Sequence, residues 1–352
     1  MGRTNPHQKI LDEYIEALKN KEIEYVPKGE NERSINWSKY DEAQVNELKD
    51  MLAFIGDVVD GAVLRLGLDE ANKVGRGRPP YPAEDLAKGI LLQQYFEVSN
   101  RVAVGFVDIF KEKLRIERTY SYKTLERAYE NPKVLMILRE VFRMIQQPIR
   151  DKEYSFAPDG TGIPTSLKVN WSRDSVDDGY QYEFLKMIPI IGTTYHLISA
   201  VEFPDNPAAH ESPYFKPLLE ETAANYSSIE GVSGDAAYLS RDNCDLVASV
   251  GGKPRFYPKE GITLKMRGSL GAWTDMLLDF IDDPQQWLRD YYSRSNAESV
   301  FSAFKRKFLA PLRKFLHFRR KAEAFTRVCD YNLRRVSRLR RMEGLKVPWI
   351  LS

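Results

Sequence analysis

The sequence predicts a mixed α/β domain preceded by an all-α region, and three observations carry that reading. From residue 83 to 147, apolar residues recur at helical spacing. Near residue 150 the pattern changes to short alternating and β-branched runs. From there the order is three strands, a helix, a strand, a helix, a strand and then helices. At 352 residues the chain is long for one domain. The expected divisions are a helical or flexible region over 1–72, a helical domain over 73–150, an α/β domain over 151–312 and a basic helical segment over 313–352.

Taken in order, residues 7–20 suit a short helix, and 27–38 read as a loop. Residues 41–67 suit a helix with Leu48, Met51, Leu52, Ile55, Val58, Val59, Ala62 and Leu66 on one face. In KVGRGRPPYP (73–82), Arg76 and Arg78 have the composition of an arm that enters a narrow minor groove; a plain linker ahead of a Pro-started helix is the alternative. Helices follow over 83–96, after the cap Ser99-Asn100, over 121–127 and after Asn131-Pro132. Such a cluster is helix-turn-helix-like, and Lys123, Thr124 and Arg127 would then face DNA from the start of a recognition helix. A helix bundle with no DNA role is the other reading.

YSFAPDGTGI (154–163) reads as a strand ending near Asp159, with Gly160 and Gly162 marking a turn or a close backbone approach. Residues 171–181 are a polar loop. FLKMIPIIG (184–192) and YHLISAVEF (195–203) are strands joined by a Gly-Thr-Thr turn. Ser212-Pro213 starts a helix, IEGVSGDAAY (229–238) holds a strand running to Asp235, and SRDNCDLVASVG is a helix closed by glycine. KPRFYP is a short strand, and 270–283 is helical. The first three strands form an antiparallel meander, and the next two are joined by helical crossovers. This is the layout of an RNase H-like mixed sheet flanked by helices, in which the fourth strand lies parallel to and beside the first. Asp159 and Asp235 would then end neighbouring strands.

The stretch 285–309 contains neither Gly nor Pro, so a continuous helix is expected. Tyr291, Arg294, Glu298 and Lys305 are spaced three, four and seven apart; at about 100° per residue they share one side. Trp287, Val300, Phe304 and Leu309 supply apolar packing. Arg294 and Glu298 could be a simple i,i+4 ion pair. If Glu298 instead joins Asp159 and Asp235, three carboxylates repel when empty and suit Mg²⁺ or Mn²⁺. Two such ions, about 3.5–4 Å apart, support in-line displacement at a phosphodiester. Arg294 and Lys305 would hold phosphate oxygens, and Tyr291 would hydrogen-bond the backbone or flank the cleavage point.

Tyr291, Arg294, Glu298 and Lys305 resemble the Tyr-x2-Arg-x3-Glu-x6-Lys signature of the insertion-sequence DDE transposases, at all four positions. Asp159 in PDGTG looks like the family's first aspartate, and Asp235 in SGDAAY is similar to its second, normally Asp-x-x-Tyr. His210-Glu211-Ser212 resembles the family's His-Asp-Ser segment, with Glu in place of Asp. The resemblance covers about residues 70–340. It implies a DNA transposase that binds terminal inverted repeats and catalyses two-metal hydrolysis and strand transfer into target DNA through Asp159, Asp235 and Glu298. A homodimer on DNA is expected, because two ends must be paired. About 62 residues separate Asp235 from Glu298, and one strand and helices use them, so no insertion domain is expected.

Net charge is only +2, but residues 301–341 hold fourteen Lys and Arg against Glu323 and Asp330. A local balance of +12 leaves −10 for the remainder, which suggests a polyanionic partner. Phe304, Phe308, Phe315, Phe318 and Phe325 are interleaved, favouring nucleic acid over a membrane. No apolar run approaches the roughly 20 residues of a membrane span, and no leader pattern opens the sequence. Cys244 and Cys329 read as buried small hydrophobes in a reducing, cytoplasmic and nucleoid-associated setting. The rival readings are an RNase H-like metal-dependent endonuclease that does not join strands, and a transposase-derived DNA-binding protein without catalysis.

Overall fold

The computed structural model describes residues 6–23, 35–68, 80–166, 184–264 and 271–349. In chain order the first helices are α1 (Pro6–Lys19), α2 (Trp37–Val45), α3 (Glu47–Leu66), α4 (Ala83–Phe96), α5 (Asn100–Leu114), α6 (Tyr122–Ala128) and α7 (Pro132–Gln146). Then come β1 (Ser155–Pro158), β2 (Thr161–Pro164), β3 (Phe184–Gly192), β4 (Ile198–Glu202), α8 (Ser212–Asn225), β5 (Gly231–Gly234), α9 (Arg241–Ser249) and β6 (Lys253–Phe256). The chain continues through α10 (Ala272–Asp282), α11 (Pro284–Tyr291), a 3-10 turn (Tyr292–Arg294), α12 (Ser295–Lys307) and α13 (His317–Glu343). Arg76 and Arg78 lie outside the described residues.

Two compact units divide these elements, and neither is continuous in sequence. One gathers the described residues of Met1–Ser34, Ile149–Thr161 and Met187–Ser302; the other gathers those of Ile35–Pro148, Gly162–Lys186 and Ala303–Ser352.

The sheet has β4, β3, β1, β5 and β6 side by side, with β2 also pairing with β3. β3 is antiparallel to both β1 and β4, while β1, β5 and β6 run parallel. This is the mixed order expected of the RNase H-like layout. The central strand β3 is apolar without alternation because both its faces are covered: Met187, Ile188, Ile190 and Ile191 are wholly buried. Parallel neighbours need crossovers, which α8 and α9 supply. Ser240 caps α9 by accepting from the N–H of Asn243, and Asp283 caps α11 by accepting from that of Gln286.

The strand expected to end near Asp159, with a turn at Gly160, is found as such, and a further short strand follows the turn. β1 stops at Pro158, and Asp159-Gly160 turns the chain into β2. Gly160 N–H donates to Asp159 Oδ1 at 2.9 Å, a local bond that competes with continued pairing.

The helix expected over 285–309 is also interrupted. Residues 292–294 form a 3-10 turn, which advances about 120° per residue instead of about 100°. Tertiary anchors on both sides explain it: Trp287 and Tyr291 are buried before the turn, and Asn296 binds a backbone carbonyl after it. Leu309, expected to pack, lies beyond the end of α12 and is 76% exposed.

The helical unit contains α2 to α7 and α13. Its core is built from Met51, Phe54, Ile55 and Val58 of α3 with Ile90, Ile137, Val141, Val328 and Leu333. α13 packs against α2, α3, α4 and α7. The expected helix over 41–67 is two helices, α2 and α3, because the backbone leaves helical geometry at Asn46 (φ −94°, ψ 0°), whose Nδ2 donates back to Glu42 O. Of its expected face, Leu48 is exposed, whereas Phe54 and Val63, outside that expected face, are buried. Both cysteines are free and buried, as expected of small hydrophobes.

Candidate active site

Asp159 and Asp235 follow β1 and β5, which are parallel neighbours, so the two carboxylates leave the same edge of the sheet. The main chain fixes both. Asp159 N–H donates to Pro189 O at 3.3 Å. Asp235 Oδ1 accepts from Ala237 N–H at 2.8 Å, and Tyr238 N–H closes the turn onto Asp235 O at 3.1 Å. Burial pushes the Asp159 carboxyl up to about 6, and the neighbouring charges of Glu211 and Asp235 add to the rise; the Gly160 N–H and Arg294 oppose it. The locus therefore carries excess negative charge that the surrounding protein only partly offsets.

Glu298 reaches this region from α12. The Nδ2 of Asn296, two residues earlier, donates to Thr193 O at 2.8 Å. That carbonyl belongs to the turn after β3, which the fully buried Glu153 carboxylate holds by accepting from the N–H groups of Thr194 and Tyr195. Glu298 is 67% exposed, and its Oε1 is 4.0 Å from Arg294 Nη2. A cavity of about 520 Å³ is lined by Asp235, Tyr257, Tyr291, Arg294 and Glu298. Burial disfavours the charge of Arg294, but Tyr291, Asp159 and Asp235 outweigh it and raise its pKa. Tyr291 is 3% exposed and stacks on Trp287 at 5.4 Å, with Arg294 over its ring at 5.6 Å. Burial pushes its phenol up to about 12.

Asp235, Arg294, Tyr291 and Glu298 thus meet at one cavity, and Asp159 couples electrostatically to Asp235 and Arg294. Among the described residues, no group of three or more His, Cys, Asp or Glu is arranged to hold a metal ion. The two aspartates and Glu298 do not by themselves converge on one point. Their chemistry nevertheless fits Mg²⁺ or Mn²⁺: the donors are all oxygens, and the half-buried Asp159 lacks full charge compensation.

Elsewhere, Lys305 is exposed near the end of α12. Lys123 and Arg127 are exposed on α6, where Ser121 accepts from Thr124 N–H as the cap. Many cations of the basic C-terminal stretch are engaged within the helical unit. Arg334 grips Glu47, Arg341 grips Asp50, Arg319 binds Glu126 and Glu130, and buried Lys314 binds Glu126 at 2.7 Å.

Glu211 is the residue whose placement sequence reasoning missed. Its Oε2 accepts a 2.9 Å hydrogen bond from Tyr238, and its side chain lies against Gly160. The His-Asp-Ser resemblance was the available signal. Neighbouring His210 is exposed. Nothing in the sequence marked Glu153 or Asn296.

The chain belongs to the family of the transposase DDE domain, whose model matches residues 151–333. Over 308 residues it is 22% identical to the probable transposase for insertion sequence element ISA1214 of Archaeoglobus fulgidus, covering 85% of each chain. Among solved structures it is similar to the piggyBac transposase in its synaptic complex with hairpin DNA, with a TM-score of 0.41, 11% identity, and coverage of 86% of this chain and 77% of that one. No described helix is long and apolar enough to cross a membrane.

Proposed function

We propose that this transposase binds the terminal inverted repeats of its own element, cuts each end to expose a 3′-hydroxyl, and joins those ends to target DNA. The observation that carries the reading is the pairing of Asp159 and Asp235 at the ends of adjacent parallel strands, with Arg294 and Glu298 on the cavity beside them. Asp159, Asp235 and Glu298 would hold two Mg²⁺ or Mn²⁺ ions. When bound, such ions supply a deprotonated nucleophile and stabilise the leaving 3′-oxygen.

The remaining work falls to the chain's own side chains. Arg294, on the cavity wall and held over Tyr291, presents a fork suited to two oxygens of one phosphate. Lys305, exposed further along α12, would contact a neighbouring phosphate as a point charge. Tyr291 fixes the direction of Arg294 from below. Lys123 and Arg127 would contact the repeat from the exposed face of α6. Double-stranded DNA is the partner, and a homodimer on DNA would hold two ends together. Phosphate contacts make that binding steeply salt-dependent.

The test is joining. A duplex carrying the element's end, already cut to a 3′-hydroxyl, is incubated with Mg²⁺ and a second, unrelated duplex. Joined product that depends on Asp235 supports the transposase reading. Nicking of an uncut end without any joining would favour the endonuclease instead.

A further inference from the structure

Glu211 packs against the turn that carries Asp159 and is hydrogen-bonded to the turn that carries Asp235. Its Oε1 lies so close over Gly160 that a Cβ there would stand only 1.9 Å away. Its Oε2 accepts the 2.9 Å hydrogen bond from the Tyr238 hydroxyl. Gly160 directly follows Asp159, and Tyr238 closes the turn that Asp235 begins. Tyr238 is itself closely packed: it is 1% exposed, meets the Phe215 ring edge-on and lies at 22° to that of Phe256. Behind it, Asn243 Nδ2 donates both to Tyr238 O at 2.8 Å and to Ser212 Oγ at 3.1 Å. The residue after Glu211 is therefore tied to the same turn.

We propose that Glu211 and Tyr238 form a clasp that fixes the spacing of Asp159 and Asp235 and so sets the affinity of the site for a divalent cation. Glu211 acts as a positioning residue. The inference rests on the reading of Asp159 and Asp235 as cation ligands. Two carboxylates on separate turns repel each other when no cation lies between them. A side chain packed on one turn and bonded to the other resists that drift and removes an ordering cost from cation binding. Glu211 also places a further negative charge beside Asp159, which raises the attraction for a cation. Glutamate, one methylene longer than the aspartate usual at this motif, starts from the head of α8 and still reaches Gly160. The approach is open only because residue 160 has no side chain.

The test is Mn²⁺ binding by the full chain, followed through the electron paramagnetic resonance signal of the free ion, with thermal unfolding in EDTA alongside. Glu211→Gln keeps an acceptor for Tyr238 but loses the charge. Tyr238→Phe keeps the ring packing but loses the donor. Groups that orient metal ligands from behind typically matter by about 10–100-fold in affinity, and a fall of that size is expected for Glu211→Gln, with a smaller fall for Tyr238→Phe. Melting in EDTA should change little for either. Mn²⁺ affinity equal to wild type in both variants, while Asp159→Asn abolishes binding, would overturn the clasp and leave the ligand assignment standing. Wild-type binding that survives Asp159→Asn unchanged, or no binding by wild type, would overturn the ligand assignment and the clasp with it.

Discussion

Asn296 donates a 2.8 Å hydrogen bond from its Nδ2 to the carbonyl of Thr193, and so fastens the first turn of α12 to the turn after β3. Glu298 is two residues further on. The position of the Glu298 carboxylate along the sheet edge thus depends on an amide two residues from both Arg294 and Glu298. Asn296→Ala should cost about 0.5–1.5 kcal/mol of stability, the usual worth of one hydrogen bond. Its effect on strand cleavage should be larger, because small misplacements of reacting groups cost on the order of 100-fold. Chemical denaturation and a cleavage assay on the same preparation check this; parallel, equally small losses in both would mean that the anchor does not position Glu298.

Glu298→Gln should abolish cleavage and retain DNA binding. The side chain is 67% exposed and its contact with Arg294 is 4.0 Å long, so its loss should shift stability by no more than about 0.5 kcal/mol. Electrophoretic mobility shift and melting measurements separate the two roles. A fall in DNA affinity matching the fall in cleavage would assign Glu298 to binding instead.

The helical unit carries a pH-sensitive carboxyl. Asp85 is 2% exposed, its Oδ2 has no hydrogen-bond partner, and burial pushes its pKa up to about 6. A carboxyl whose folded pKa exceeds its unfolded value binds protons more tightly in the folded state. Stability is therefore lost as pH rises from about 4 through about 6. Asp85→Asn should be close to neutral near pH 4 and stabilising at pH 7.5 by about 1–3 kcal/mol. Unfolding curves at the two pH values check the difference; a variant no more stable than wild type at pH 7.5 would contradict it.

Glu323 is wholly buried, as is Arg327 at 3.5 Å, and its carboxylate also accepts from the N–H groups of Arg313 and Lys314. Glu323→Ala strands a buried guanidinium and two amides, and should destabilise by about 3–5 kcal/mol. Urea unfolding gives the value, and a loss below about 1 kcal/mol would show that the cluster relaxes into solvent.

Such pairs explain why the basic C-terminal stretch was only partly legible. Summing charges along residues 301–341 counts Glu323 and Asp330 but not Glu47, Asp50, Glu126 and Glu130, which arrive from distant helices to meet Arg334, Arg341, Lys314 and Arg319. A local excess of charge measures sequence neighbours, whereas ion pairs form between spatial ones. Strand β3 was readable to its ends because a mostly apolar run with three isoleucines stops at Gly192. The order of the sheet followed from helices standing where crossovers are required. The 3-10 turn at 292–294 left no trace in composition, since no Gly or Pro marks it; it reconciles a buried Tyr291 with an anchored Asn296. The bond between Glu211 and Tyr238 joins residues 27 apart and is visible only in the folded chain.

The most direct measurement is nicking of a duplex carrying the element's own terminal repeat, in Mg²⁺, Mn²⁺ and EDTA, with wild type beside Asp159→Ala. The account predicts nicking with either cation, none in EDTA, and none from the variant under any condition although it still binds the duplex. Nicking that persists in Asp159→Ala, or that proceeds in EDTA, would contradict the assignment of the site.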